Sequence, residues 1–147
     1  MKNKIVLKKG VDVMNELLPK AISKNGAKHS DKGNVLPEIL FITSYPPREC
    51  GIATYSQDLI KALNNKFNHS FKLRICALES ENEKHDYTDE IKYVLNTDHP
   101  EAFTRLVKTI NNNADIRIVM IQHEFGFYAK RENDFRQFLE ALTKPVV

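Results

Sequence analysis

From Glu38 onward the chain repeats one pattern. A short, β-rich apolar run is followed by a longer stretch whose apolar residues recur every three or four positions. The first run is Ile39-Leu40-Phe41-Ile42-Thr43, bounded by turn-forming residues as a buried strand is. Ile52, Tyr55, Leu59, Ile60 and Leu63 then fall on one helical face, and Asn64-Asn65 predict its end. Phe71 to Leu78 reads as a second strand, with Leu73, Ile75 and Ala77 alternating against Lys72, Arg74 and Cys76. Glu79 to Glu90 is polar and reads as a loop, and Ile91 to Leu95 as a third strand. Pro100 suits the first turn of a helix whose apolar face is Phe103, Leu106, Val107 and Ile110, closed by Asn111-Asn112-Asn113. Ile116 to Ile121 is the most hydrophobic run. Its consecutive apolar residues require cover on both faces, as in a central parallel strand. Phe135, Phe138, Leu139 and Leu142 share the face of a last helix, and Pro145-Val146-Val147 opens another strand. Such alternation predicts an α/β fold whose crossovers build a mostly parallel sheet.

Residues 1–36 break the pattern and read as a basic leader, partly helical or disordered, ahead of a domain spanning 37–147. Within residues 1–34, eight lysines stand against Asp12, Glu16 and Asp31, a net charge of +5 in a chain of +3 overall. The domain itself is therefore slightly acidic. It lacks interleaved basic and aromatic residues, so nucleic acid is not an expected partner. Val11, Met14, Leu17, Leu18, Ala21 and Ile22 share a short helical face, so the leader is expected to make weak, reversible contact with an anionic membrane surface. No apolar stretch reaches the roughly 20 residues of a membrane span, and Ile5-Val6-Leu7 is too short for the core of a signal peptide. A cytoplasmic location follows. Cys50 and Cys76 form no CxxC pair and are read as free thiols, with no metal site expected.

Two segments sit where ligands bind in parallel sheets, beyond the carboxyl ends of the strands. The first is the loop Ser44 to Gly51. Gly51 lacks a Cβ, which permits close backbone approach by a ligand. The following helix start favours anions, and Arg48 offers a planar fork for phosphate oxygens. An ordinary strand-to-helix turn stiffened by Pro46-Pro47 accounts for the same residues. The loop is neither GxGxxG nor GxxxxGK[ST], which disfavours dinucleotide binding and excludes a P-loop. The second segment is Gln122-His123-Glu124. Three polar residues directly after an apolar run need partners, a cleft or solvent, and His123 can both donate and accept a proton, with Glu124 to orient it or act as a base. His29, His69, His85 and His99 lie in polar contexts and are read as solvated.

Together, Ile39 to Leu63 ("ILFITSYPPRECGIATYSQDLIKAL") and Ile116 to Tyr128 ("IRIVMIQHEFGFY") resemble the opening and fourth-strand motifs of bacterial glycosyltransferases of the GT-B fold, in the retaining, GT4-like group. "LTKPVV" is similar to the start of their next strand. The resemblance covers residues 38–147. It implies a Rossmann-like three-layer α/β/α domain, one half of a GT-B fold. It further implies that the chain is the acceptor-side domain of an enzyme moving a sugar from a nucleotide-sugar donor to a glycan or lipid-linked acceptor. His123 then matches the cleft histidine, a catalytic position, and Gly51 the loop glycine, with Arg48, Gln122 and Glu124 binding substrate. Relatives often carry two adjacent glycines where this chain has Cys50-Gly51. The nucleotide sugar is substrate, and no cofactor or metal is implied. A C-terminal donor-binding domain is the expected partner, so the 147-residue chain is expected to be inactive alone. The alternative is a non-catalytic flavodoxin-like module binding a phosphate-bearing ligand or a protein.

Overall fold

The computed structural model describes residues 35–123 and 125–147. The leader helix read over Val11 to Ile22 and the membrane contact assigned to it lie outside the described residues. So does Glu124. Four strands, β1 (Glu38–Thr43), β2 (Lys72–Glu79), β3 (Ile91–Asn96) and β4 (Ile116–Ile121), form one sheet in the order β3-β2-β1-β4. Every pairing in it is parallel. The helices are α1 (Gly51–Phe67), α2 (Pro100–Asn112), α3 (Phe125–Tyr128) and α4 (Glu132–Ala141). The architecture is a Rossmann-like three-layer α/β/α fold, as the alternation of the sequence predicts.

All six residues of β1 are buried, because β1 pairs on both sides and is covered on both faces. Leu40 and Ile42 face α2 and α4 in one cluster with Leu78, Leu95, Phe103, Ile110, Val119 and Phe138. Ile39 and Phe41 face α1 in a second cluster with Ile60, Phe71, Ile75 and Ile118. The predicted α2 face, Phe103, Leu106, Val107 and Ile110, is buried throughout. Val146 pairs in parallel with Val119 on the outer side of β4, and Ile121 N donates to Val147 O at 2.9 Å. This flanking chain pairs the outer edge of β4, and its two faces are covered by the two clusters, Ile116 and Val119 in the first and Ile118 in the second.

Several local expectations are corrected. The buried face of α1 is Ala53, Ser56 and Ile60, while Tyr55 is 60% exposed. Small side chains let the helix approach β1 closely, and the Ser56 hydroxyl finds partners there. The helix continues past Asn64-Asn65 to Phe67, which packs on Phe71 with ring centroids 5.5 Å apart. In β2 the alternation fails at the carboxyl end, where Cys76, Ala77 and Leu78 are all buried. Residues 80–90 cross from β2 to β3 without a helix. His85 is half-buried there instead of solvated. Its backbone N–H donates to the Glu79 carboxylate at 2.9 Å, and its Nε2 has no hydrogen-bond partner. Helix α3 has too few residues to show a period.

Candidate functional site

The chain runs from β1 outward through β2 to β3, then returns to place β4 on the other side of β1. That reversal makes the gap beyond the carboxyl ends of β1 and β4 the switch point, where open α/β sheets bind ligands. The two segments singled out in the sequence both arrive there, one from β1 and one from β4.

A buried polar network ties them together. Thr43, the last residue of β1, lies with Oγ1 2.6 Å from Ser56 Oγ on α1. Ser56 Oγ donates to Gln122 Oε1 at 2.7 Å. Gln122 N donates to Ile42 O at 3.1 Å, carrying the β1–β4 ladder one residue past the strand. Gln122 thus acts as an internal strut, half-buried and satisfied by side chains from two elements. One residue on, Ser44 Oγ sits 3.2 Å from Cys50 Sγ. Cys50 is the N-cap of α1, in extended conformation, and its sulfur accepts from Ala53 N at 3.4 Å. Sulfur is a weak acceptor, so it replaces the oxygen usual at this position. The first-turn amides of α1 lack intrahelical acceptors. Gly51 is exposed, with no atom within 4 Å of where a Cβ would stand. Its φ is not positive, so the fold imposes no need for glycine at this position. Pro46-Pro47 is joined by a cis peptide bond.

His123 follows Gln122 and is exposed. Its ring stacks on Tyr128 at 5.6 Å and lies 5.5 Å from Phe135. Those two rings are themselves stacked at 3.8 Å. The imidazole is therefore held against an aromatic wall built by α3 and α4 while the residue stays exposed. Tyr128 is 2% exposed, and burial first, then the neighbouring Cys76, pushes its hydroxyl well above the usual range.

Arg48 takes another direction. Its Nη2 meets Glu83 Oε2 at 2.6 Å, and its guanidinium lies 5.2 Å over the Phe127 ring. The fork expected to await phosphate is thus occupied by a carboxylate from the β2–β3 crossover. Arg48 joins the wall of a cavity of about 240 Å³ beyond β2 and β3. Of the predicted residues, Gln122, His123 and Gly51 belong to the segments meeting at the switch point, whereas Arg48 serves the neighbouring cavity. Thr43, Ser44 and Ser56 were missed by sequence reasoning. Their signal was a Thr-Ser pair ending an apolar run and a serine within a helix's inward arc.

Among the described residues no group of three or more His, Cys, Asp or Glu side chains could hold a metal ion, and both cysteines are free. No described helix is long and apolar enough to cross a membrane. Comparison with protein-family models, with curated proteins and with solved structures finds no match in any of the three.

Proposed function

We propose that this chain is the acceptor-side half of a nucleotide-sugar-dependent glycosyltransferase of the GT-B type, with His123 at the reacting face. One observation carries the reading. The network Thr43–Ser56–Gln122 fixes the ends of β1, β4 and α1 together, and an exposed, ring-stacked histidine follows directly. A catalytic or orienting side chain needs a rigid mount, and the strut provides it. The open approach to Gly51 and the first-turn amides of α1 suit the anionic end of a donor. Glycosyl transfer develops positive charge on the sugar and negative charge on the departing phosphate. Water must also be excluded, or the donor is hydrolysed. A single domain leaves the switch point open, so a donor-binding partner domain completes the site. The chain by itself binds without transferring.

The test is an amide-shift titration of the isotopically labelled chain with nucleotide sugars and with glycan or lipid-linked acceptors, alongside a mass-spectrometric transfer assay. The expected result is saturable shifts at Gly51, Ile52 and His123 with no product formed. Shifts absent from these residues for every donor and acceptor defeat the assignment. Protein-dependent turnover by the 147-residue chain defeats the division between two domains.

A further inference from the structure

We propose that the cavity beyond β2 and β3 is a pocket for one neutral sugar ring, a hexose-type polyol. The assignment rests on the lining of that cavity alone and stands apart from the transferase reading, which concerns the β1–β4 gap.

The cavity lies over the carboxyl ends of β2 and β3, with α3 and the turn after it as one wall. Two carboxylates line it, Glu79 and Asp98, with Thr97 between the strand ends and Asn82 and Lys130 as donors. Glu79 is buried. Each carboxylate already accepts one backbone N–H, Glu79 from His85 at 2.9 Å and Asp98 from Glu81 at 2.9 Å. A carboxylate has about four lone-pair sites, so both retain acceptor capacity. The cations at the rim are partly committed. Arg48 is paired with Glu83, and Arg131 donates to the Asp98 carbonyl at 2.9 Å.

This chemistry selects among ligand classes. An anion meets Glu79 and Asp98, while Arg48 and Arg131 already hold Glu83 and the Asp98 carbonyl, so a phosphate is disfavoured. An apolar ligand would strip water from Glu79 and Asp98 without replacing their hydrogen bonds. A divalent cation lacks a ligand cluster among the described residues. A vicinal diol fits, because each hydroxyl donates to a carboxylate while accepting from an amide, hydroxyl or ammonium group. Phe127, whose ring lies under the Arg48 guanidinium, adds apolar lining beside the C–H groups of a pyranose. Size agrees. At about 240 Å³ the cavity falls below the roughly 300–1,000 Å³ of pockets that hold drug-sized ligands, so it admits one ring and not a whole nucleotide sugar.

The experiment titrates the labelled chain with methyl glucoside, galactoside, mannoside and N-acetylglucosaminide, with inorganic phosphate and a nucleotide sugar as separate arms. A single ring makes few contacts, so affinity in the millimolar range is expected. At least one hexoside should shift the Ser80, Thr97, Gly126 and Lys130 amides saturably. Glu79→Gln should weaken that binding about tenfold or more, the scale of one lost charge-assisted hydrogen bond. Because Glu79 is buried, Gly126→Leu serves as a second variant. Gly126 lines the cavity and no atom lies within 4 Å of its Cβ position, so a side chain can start there without a backbone clash and narrow the cavity. Hexoside shifts confined to these four amides, with the Gly51 and His123 amides unmoved, separate this pocket from the switch point. Competition by the nucleotide sugar at the same amides assigns the ring to a donor, and lack of competition assigns it to a glycan. Either keeps the polyol site. Silence of these amides toward every hexoside overturns the proposal, as does tighter occupation by phosphate or undiminished binding to Gly126→Leu.

Discussion

Ser56 and Gln122 come from different layers of the fold, and a 2.7 Å hydrogen bond from the serine hydroxyl to the glutamine side-chain oxygen joins them. The same hydroxyl lies 2.6 Å from Thr43 Oγ1, so one buried atom connects α1, β1 and the residue that leads out of β4. Everything placed at the switch point depends on it.

Ser56→Ala removes that atom and leaves two polar groups short of a partner. A loss of about 1–3 kcal/mol in unfolding free energy is expected, read from urea denaturation. The His123 amide should broaden or shift in the variant. Stability within about 0.5 kcal/mol of the parent, with an unmoved His123 resonance, contradicts the strut.

His123→Ala and Gly51→Val test the site without testing the fold. His123 is exposed, and its ring contacts are worth about 0.5–1.5 kcal/mol, so destabilisation should stay within that range while acceptor-induced shifts are lost. Gly51→Val enters open space at a φ that side chains tolerate. Thermal unfolding should therefore change little, and binding at the start of α1 should weaken. A variant that binds as the parent does removes its residue from the site.

At the opposite end of β1, Glu38 is buried and receives Arg74 Nε at 2.9 Å together with the Lys92 ammonium. Burial raises its pKa, but the hydrogen bonds and charges of Lys92 and Arg74 outweigh that and hold the carboxyl below its usual range. A folded-state pKa below the unfolded value, near 4.3, gives stability that is complete above the unfolded value and lost as pH falls through the folded one. Glu38→Gln should cost about 1–3 kcal/mol at neutral pH and flatten the acid limb of a stability–pH curve between roughly pH 5 and pH 2. An acid limb identical to the parent's excludes this contribution.

Tyr128→Phe should be harmless. The tyrosine hydroxyl is buried without a hydrogen-bond partner, and its removal ends a desolvation cost while the stack on Phe135 remains available to phenylalanine. Unchanged stability, or a gain of up to about 1 kcal/mol, is the expected result of chemical denaturation. A loss above that amount would mean the hydroxyl is satisfied in solution.

Much of this was legible because apolar side chains dominate where they occur. The run Ile39–Ile42 is a continuous apolar signal and Phe103, Leu106, Val107 and Ile110 a periodic one, and the fold follows both. The α1 face was misread at Tyr55 because hydrophobicity ranks an aromatic above a serine, whereas contact with β1 favours small residues that also hydrogen-bond. Arg48 was placed at the helix start because nothing local announces Glu83 as its partner. That pairing exists only once the crossover has folded back. Position alone marks Gln122 as a ligand-binding side chain, whereas its contacts with Ser56 and Ile42 tie the end of β4 to α1 and β1. Glu124 lies outside the described residues, and its expected role as the partner that orients His123 stays with the sequence reading.

The cysteine that caps α1 has a consequence for measurement. Cys76 is wholly buried, and burial pushes its thiol far above the ordinary range, so it reacts only when the core opens. Cys50 is half-exposed and holds the first turn through Ala53 N. Alkylating Cys50 must break that cap. The unmodified molecule thus carries two chemical clocks, a fast one for fraying of the helix start and a slow one for global unfolding. Pulse-labelling both thiols with and without ligand would read out how tightly the switch-point loop is held, with no introduced reporter.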